Sequence, residues 1–379
     1  MSQLRTVQVL GGGSAGSSAH VGSLAAGLVA RGVQVTVCAP AGLDRAYDFA
    51  ATGARFAPVP RRSDPAAVAA LRAACAGADV VHAHGVHAAV RAALALGCRR
   101  VPLVVTWHTR SHVEGARRRL LHLLERRAAR AAAVVLGTSS DLVDRARRRG
   151  ARDARLAPLA TPVPCAPATV PDGKVRAELG AVERPLIVAV GSLVPDHGYG
   201  TLLDAARSWR RLDPVPLLVI AGEGRERAAL QRRIRTEGRE RAALQRRIRT
   251  EDLPVALIGS STDAAGLLAA ADVAVLPSRW ESRSLMAQEA LRNGVPLVAT
   301  AVGGVPELVG DAAELVPYAN AEALARAVAR LLGDPAERER LSAAGPRQAA
   351  SWPTEDDTIA QVLSVYDELV QPLATRRSH

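Results

Sequence analysis

The sequence predicts an α/β protein of two doubly wound domains, each a parallel sheet covered by helices, with a cleft between the two. Three observations carry this expectation. Short unbroken runs of Val, Leu, Ile and Ala alternate with longer helical stretches, the pattern of strands buried on both faces. The length of 379 residues exceeds what one hydrophobic core usually organises. The runs also fall into two series, separated by a proline-rich stretch of little periodicity, Ala157–Ala181.

The first series opens with a strand at Thr6–Leu10, a glycine-rich loop at Gly11–Ser18, a helix from about Ala19 to Arg31 and a strand at Gln34–Cys38. Further strands are expected at Asp79–His82, Leu103–Trp107 and Ala133–Gly137. The second series holds Leu186–Val190, Leu217–Ala221, Ala256–Gly259, Val273–Leu276, Leu297–Ala299 and Glu314–Val316. The expected boundaries are a first domain at 1–165, a linker at 166–183, a second domain at 184–352, and a terminal helix and tail at 353–379. Glu223–Thr236 reads EGRERAALQRRIRT and recurs letter for letter at Glu237–Thr250. A helix absorbs such a copy nearly in phase, and one pair is too few for a solenoid, so it reads as a duplication tolerated at the surface.

Composition narrows the function classes. At 48% hydrophobic and 23% charged residues the chain has the make-up of a globular enzyme, and no apolar run reaches the roughly 20 residues of a membrane span. The apolar run before Gly11 is too short for a signal sequence, so a cytoplasmic protein is expected. The net charge of +12 suggests nucleic acid, but Lys174 is the sole lysine and the excess is arginine spread over the chain. Two Phe, four Trp and four Tyr are too few for a base-stacking platform, and nucleic acid is not an expected partner. The four cysteines form no CxxC pair, so neither a disulfide framework nor a zinc site is expected.

Three places carry candidate chemistry. The loop Gly11–Gly16, with Gly12 and Gly13 at its centre, follows a strand and precedes a helix, which suits either close approach to an anion or a tight turn. Cys38-Ala39-Pro40 stands where a dinucleotide fold would have an acidic residue, which argues against NAD. His82, His84, His87 and above all His108 gather at strand ends, where open α/β sheets bind ligands. No carboxylate or cysteine falls at ligand spacing beside them, so a metal is not expected.

The densest signal is Ser278–Glu307, reading SRWESRSLMAQEALRNGVPLVATAVGGVPE. Glu281 precedes a helix and Glu289 lies inside it, about 12 Å further along the axis. A glycosidase pair needs roughly 5–9.5 Å, so the two suit separate contacts on one elongated ligand. The helix start at Ser284-Leu285-Met286 offers amides to a phosphate. A dipole-favoured Glu and a solvated Glu remain the bland alternative. Arg117–Arg130, RRRLLHLLERRAAR, is a basic amphipathic stretch that suits peripheral contact with the inner face of a membrane or a plain solvated surface.

The Ser278–Glu307 block resembles the signature of the family-4 retaining glycosyltransferases, which have the GT-B fold of two facing Rossmann-like domains and a C-terminal helix that crosses back to the first. Glu281, Glu289 and Ala290, the strand Gly294–Thr300 and the loop Val302–Glu307 are the counterparts. Asp79–His84, Thr106-Trp107-His108, Ala271-Asp272 and Leu276-Pro277-Ser278 match further pieces, and Trp352 and Tyr366 suit the terminal helix. The resemblance implies a hexosyltransferase-type enzyme that is retaining, needs no metal or cofactor, and moves a sugar from a UDP- or GDP-sugar donor to a glycan, lipid carrier or small molecule. Glu289 would then accept from the donor's ribose hydroxyls, Glu281 would face the donor sugar, and the amides at Ser284, Leu285 and Met286 would meet the diphosphate. His108 would contact the transferred sugar or the acceptor, with Gly12 and Gly13 close to the same centre. Ser192 and His197 stand where the family has the Arg and Lys that grip the diphosphate, and Ser284 replaces a common glycine. This departure opens an alternative: an impaired GT-B pseudoenzyme serving as a binding or scaffold subunit.

Overall fold

A computed structural model describes residues 3–11, 15–60, 65–110, 115–160, 172–222, 247, 254–259 and 264–377. The chain divides into two compact units: Met1–Pro162 with Pro353–His379, and Val163–Trp352.

The first unit is built on strands β1 (Arg5–Leu10), β2 (Gln34–Ala39), β3 (Arg55–Pro58), β4 (Val80–His84), β5 (Leu103–Trp107), β6 (Val134–Gly137) and β7 (Ala154–Leu156). They form one parallel sheet in the order β3-β2-β1-β4-β5-β6-β7. Every residue of β4, β5 and β6 is buried, the two-sided burial that their unbroken apolar runs predict. The helices are α1 (Ala15–Ala30), α2 (Ala41–Tyr47), α3 (Pro65–Ala74), α4 (Val86–Leu96), α5 (Ala116–Ala131) and α6 (Ser140–Arg148). Two strands escaped the sequence reading. β3 is Arg-Phe-Ala-Pro with both ends exposed, and β7 is three residues long; each is an edge strand with too little apolar pattern to register. α1 also begins at Ala15 rather than at Ala19.

The second unit holds β8 (Leu186–Val190), β9 (Leu217–Ala221), β10 (Val255–Ile258), β11 (Val273–Leu276), β12 (Leu297–Thr300) and β13 (Ala313–Val316), all parallel, in the order β10-β9-β8-β11-β12-β13. Its helices are α7 (Asp172–Leu179), α8 (Tyr199–Trp209), α9 (Ala264–Ala269), α10 (Leu285–Arg292), α11 (Val305–Val309), α12 (Ala321–Gly333) and α13 (Pro335–Ala350). Alternate residues of β8 feed different cores: Leu186 and Val188 one face, Ile187 and Ala189 the other. The duplicated stretch 223–250 lies outside the described residues except for Arg247, which pairs with Asp204 of α8 at 2.7 Å.

The last helix, α14 (Glu355–Arg377), returns to the first unit. A reciprocal cap starts it: Thr354 Oγ1 accepts from the Asp357 amide at 3.1 Å, and Asp357 Oδ2 accepts from the Thr354 amide at 2.9 Å. Ile359, Val362, Val365 and Tyr366 then bury against Val21, Leu24, Ala25 and Leu28 of α1. Gly27 lets the two helices approach closely, since a Cβ there would fall 2.0 Å from Ile359 Cδ1. Trp352 corrects an expectation: it precedes α14 and packs in the second unit, its Nε1 donating to the Leu308 carbonyl at 2.8 Å.

In both sheets the chain reverses direction of growth at one point, between β1 and β4 and between β8 and β11. Crevices outside the carboxyl ends at such points are where open α/β sheets take ligands.

Candidate functional site

In the second unit the ends of β8, β11 and β12 hold the residues singled out from the sequence. Thr300 Oγ1 at the end of β12 donates to the Ser278 carbonyl at 2.6 Å, tying down the loop after β11. Ser278 Oγ in turn donates to Glu281 Oε1 at 3.1 Å. The Val302–Glu307 loop holds the Glu281 main chain, with the Gly304 amide donating to its carbonyl at 2.9 Å. Gly303 has φ +55°, and a Cβ on it would sit 2.0 Å from that carbonyl, so only glycine fits. Burial pushes the Glu281 carboxyl up to about 7, against the opposing pull of the Ser278 hydrogen bond.

Ser284 is the N-cap of α10, its Oγ accepting from the Ala287 amide at 3.4 Å. The first-turn amides of Leu285 and Met286 have no acceptor within the helix, Leu285 is exposed and Met286 is buried. Glu289, half-buried, lies four residues beyond Leu285 on the same helix.

The loop after β8 brings His197 to the same strand ends. Its ring packs over Gly191, where a Cβ would meet Nδ1 at 3.2 Å, and its Nε2 lies 4.0 Å from Glu281 Oε1. Gly198 fixes the approach: at φ +72°, a Cβ there would be 2.0 Å from the Pro277 carbonyl oxygen. Tyr199, buried beneath, has its hydroxyl pushed up by burial and then by the Glu281 charge. Ser192 is half-buried in the preceding turn, its carbonyl accepting from the Val194 amide at 2.9 Å.

In the first unit the strand ends carry imidazoles instead of carboxylates. Gln8, His82, His84 and Thr106 project from one face of β1, β4 and β5, all buried. His84 Nδ1 is 3.2 Å from His108 Nε2, and His84 Nε2 is 3.0 Å from Gln8 Oε1. His82 Nδ1 is 2.7 Å from Tyr366 Oη and its Nε2 is 2.6 Å from Thr106 Oγ1. Gln8 Nε2 donates to Tyr366 Oη at 3.0 Å. The rings of His82 and His84 stack at 4.3 Å.

Burial pushes His82 down to about 3, with a smaller contribution from His20, and holds His84 and His108 well below the usual imidazole range. The cluster is therefore neutral through the physiological range. His87 stands apart, exposed on the first turn of α4.

Gly12 and Gly13 lie outside the described residues. Gln8 and His20 are not among the residues singled out from the sequence, and Tyr366 is singled out there only for the terminal helix. His20, on α1, has its ring 5.8 Å from His84 and 5.5 Å from His108, and its buried Nε2 has no hydrogen-bond partner. Its place in the turn after a glycine loop that follows β1 was the available signal. Among the described residues no three His, Cys, Asp or Glu side chains converge as a metal site, and no helix is long and apolar enough to cross a membrane.

Comparison with known proteins follows the same two-part division. Residues 173–348 match the family model of glycosyl transferases group 1, and residues 15–161 match that of the glycosyl transferase 4-like domain. The D-inositol 3-phosphate glycosyltransferase of Jonesia denitrificans is 32% identical over 76% of this chain and 71% of its own length. The MMP alpha-(1->4)-mannosyltransferase of Mycolicibacterium hassiacum is 38% identical, over 30% of this chain and 29% of its own. Among solved structures, that of Anabaena Alr3699/HepE in complex with UDP-glucose superposes with a TM-score of 0.76 at 19% identity, covering 96% of this chain and all of that one. At that identity the likeness concerns the fold, two Rossmann-like units of the GT-B class.

Proposed function

The chain belongs to the group 1 glycosyl transferases, and on that premise we propose that it moves a sugar from a UDP- or GDP-sugar to an acceptor hydroxyl, with retention of configuration and without a metal. One observation carries the reading: Glu281, the capped start of α10 and Glu289 stand together at the strand ends of the second unit, along one elongated ligand's length. Glu289 accepts hydrogen bonds from the ribose hydroxyls, and the amides of Leu285 and Met286 face the diphosphate, where the helix dipole favours negative charge.

Charge grows on the departing diphosphate in the transition state, so donors fixed there carry much of the rate enhancement. On this reading the acceptor hydroxyl attacks the anomeric carbon from the face the diphosphate leaves, the glycosidic C–O bond to phosphate breaks, and the departing phosphate oxygen takes the hydroxyl proton. His197 supplies a cation when protonated and Ser192 a neutral hydrogen bond, in place of two fixed positive charges. His108, neutral, contacts the transferred sugar or the acceptor. The pseudoenzyme alternative is not favoured, because the family match runs through both parts of the chain. The basic face of α5, where Leu120 and Leu123 are 58% and 64% exposed among Arg117, Arg118, Arg119, Arg126 and Arg127, suits peripheral contact with anionic lipid and hence a lipid-borne acceptor.

Calorimetric titration with UDP and with GDP tests the reading. Micromolar binding of one of them is expected, tightened about tenfold in Ser192→Arg/His197→Lys, which restores two cations worth roughly 1.4 kcal/mol between them. Binding of neither by both proteins would overturn the placement of the donor.

A further inference from the structure

The middle of a sheet covered on both faces is an unusual place for Gln8, His82, His84 and Thr106, which with Tyr366 of α14 are all buried. One member fixes the direction of the hydrogen bonds that lead to His108. A carboxamide oxygen only accepts and its nitrogen only donates, whereas hydroxyls and neutral imidazoles do either. Gln8 Oε1 faces His84 Nε2 at 3.0 Å, so that nitrogen bears the proton and His84 Nδ1 is a bare lone pair. The lone pair in turn requires a proton on His108 Nε2, 3.2 Å away. On the other side Gln8 Nε2 donates to Tyr366 Oη at 3.0 Å, and His82 bridges Tyr366 Oη, 2.7 Å from its Nδ1, and Thr106 Oγ1, 2.6 Å from its Nε2.

We propose that Gln8 is a positioning residue that locks His108 as its Nε2–H tautomer, so that His108 presents Nδ1 as a hydrogen-bond acceptor for a hydroxyl of the sugar substrates. Tyr366 holds the Gln8 amide in the required orientation, which gives the returning helix α14 a part in the site. The substrate half of this inference rests on the placement of His108 in the transferase reading above; the tautomer half does not. The titratable groups that face His84 and His108 are His82 on β4 and His20 on α1, with Tyr366 on α14 facing His82, and burial keeps the imidazoles among them uncharged.

The full chain labelled with ¹⁵N-histidine gives the direct test, with His108→Gln used to identify the His108 signals in long-range ¹H–¹⁵N spectra. The expected pattern is a protonated Nε2 and a bare Nδ1 on His108. A proton on Nδ1 instead would overturn the proposal, and this result is obtained whether or not the chain transfers sugar. Gln8→Glu supplies the second measurement. Its carboxylate holds His84 as an imidazolium whose Nδ1–H donates to His108, which forces the opposite tautomer. The transfer rate at pH 7 is expected to fall tenfold or more with donor KM within threefold of wild type. It should then recover as pH rises through the raised His84 pKa, a limb the wild type lacks. A wild-type pH profile together with an unchanged His108 tautomer in this variant would contradict the proposal. Should Gln8→Glu not fold, the wild-type spectrum decides.

Discussion

The carboxyl ends of the two sheets present opposite chemistry on the same topology. In the first unit they are lined by neutral imidazoles joined through Gln8 and Tyr366, with burial suppressing their charge. In the second they carry Glu281, poised near neutral pH, with His197 4.0 Å away and the capped start of α10. A doubly wound sheet determines where a ligand goes, and the side chains at that point determine which one. Uncharged donors and acceptors suit sugar hydroxyls, whereas a helix start beside carboxylates suits a phosphate flanked by ribose.

Substitutions sharpen this contrast. The largest effect is expected from Glu281→Gln, which removes the carboxylate that Ser278 holds; the rate of sugar transfer should fall on the order of a hundredfold, measured with excess donor. An unchanged rate would break the assignment of the donor sugar to that carboxylate. Gly198→Ala forces a Cβ to within 2.0 Å of the Pro277 carbonyl oxygen, so β11 and the His197 loop must part. A loss of about 2–4 kcal/mol in denaturant unfolding is expected, with weakened nucleotide binding.

Glu281 also makes stability depend on pH in the direction opposite to a salt-bridged carboxylate. Its folded pKa, about 7, lies above the unfolded value of 4.5, so its contribution is full below pH 4.5 and is lost as pH rises through 7. Glu281→Gln should therefore raise the unfolding free energy at pH 8, by an amount on the order of 3 kcal/mol, and lose that advantage near pH 4.5. The smallest change is expected at α5: Leu120→Glu with Leu123→Glu should leave the fold intact and reduce sedimentation with vesicles containing anionic phospholipid. Equal sedimentation of both proteins would remove lipid from the account.

Much of the architecture is legible in the sequence because buried parallel strands write themselves as unbroken runs. Eleven expected strands match observed ones within two residues at either end, among them Leu103–Trp107 and Val273–Leu276. β3 and β7 are not legible, because an edge strand needs only one neighbour and little apolar surface. The second unit's candidates are legible because Glu281 through Glu307 is one local stretch folded back on itself through Gly303. The first unit's network is not. Gln8 reads as a polar interruption in a strand, and its meaning depends on Tyr366, 358 residues away, which only the packing of α14 brings into contact.

The division between the two strand ends is tested most directly by the affinity of the preferred nucleoside diphosphate, UDP or GDP, for three proteins: wild type, Glu289→Gln and His108→Gln. Donor binding belongs to the second unit in this account. Glu289→Gln should therefore weaken the affinity about 10–100-fold, the loss of a charged hydrogen-bond acceptor, while His108→Gln binds as tightly as wild type. The reverse order, with His108→Gln losing the nucleotide and Glu289→Gln keeping it, would contradict the account.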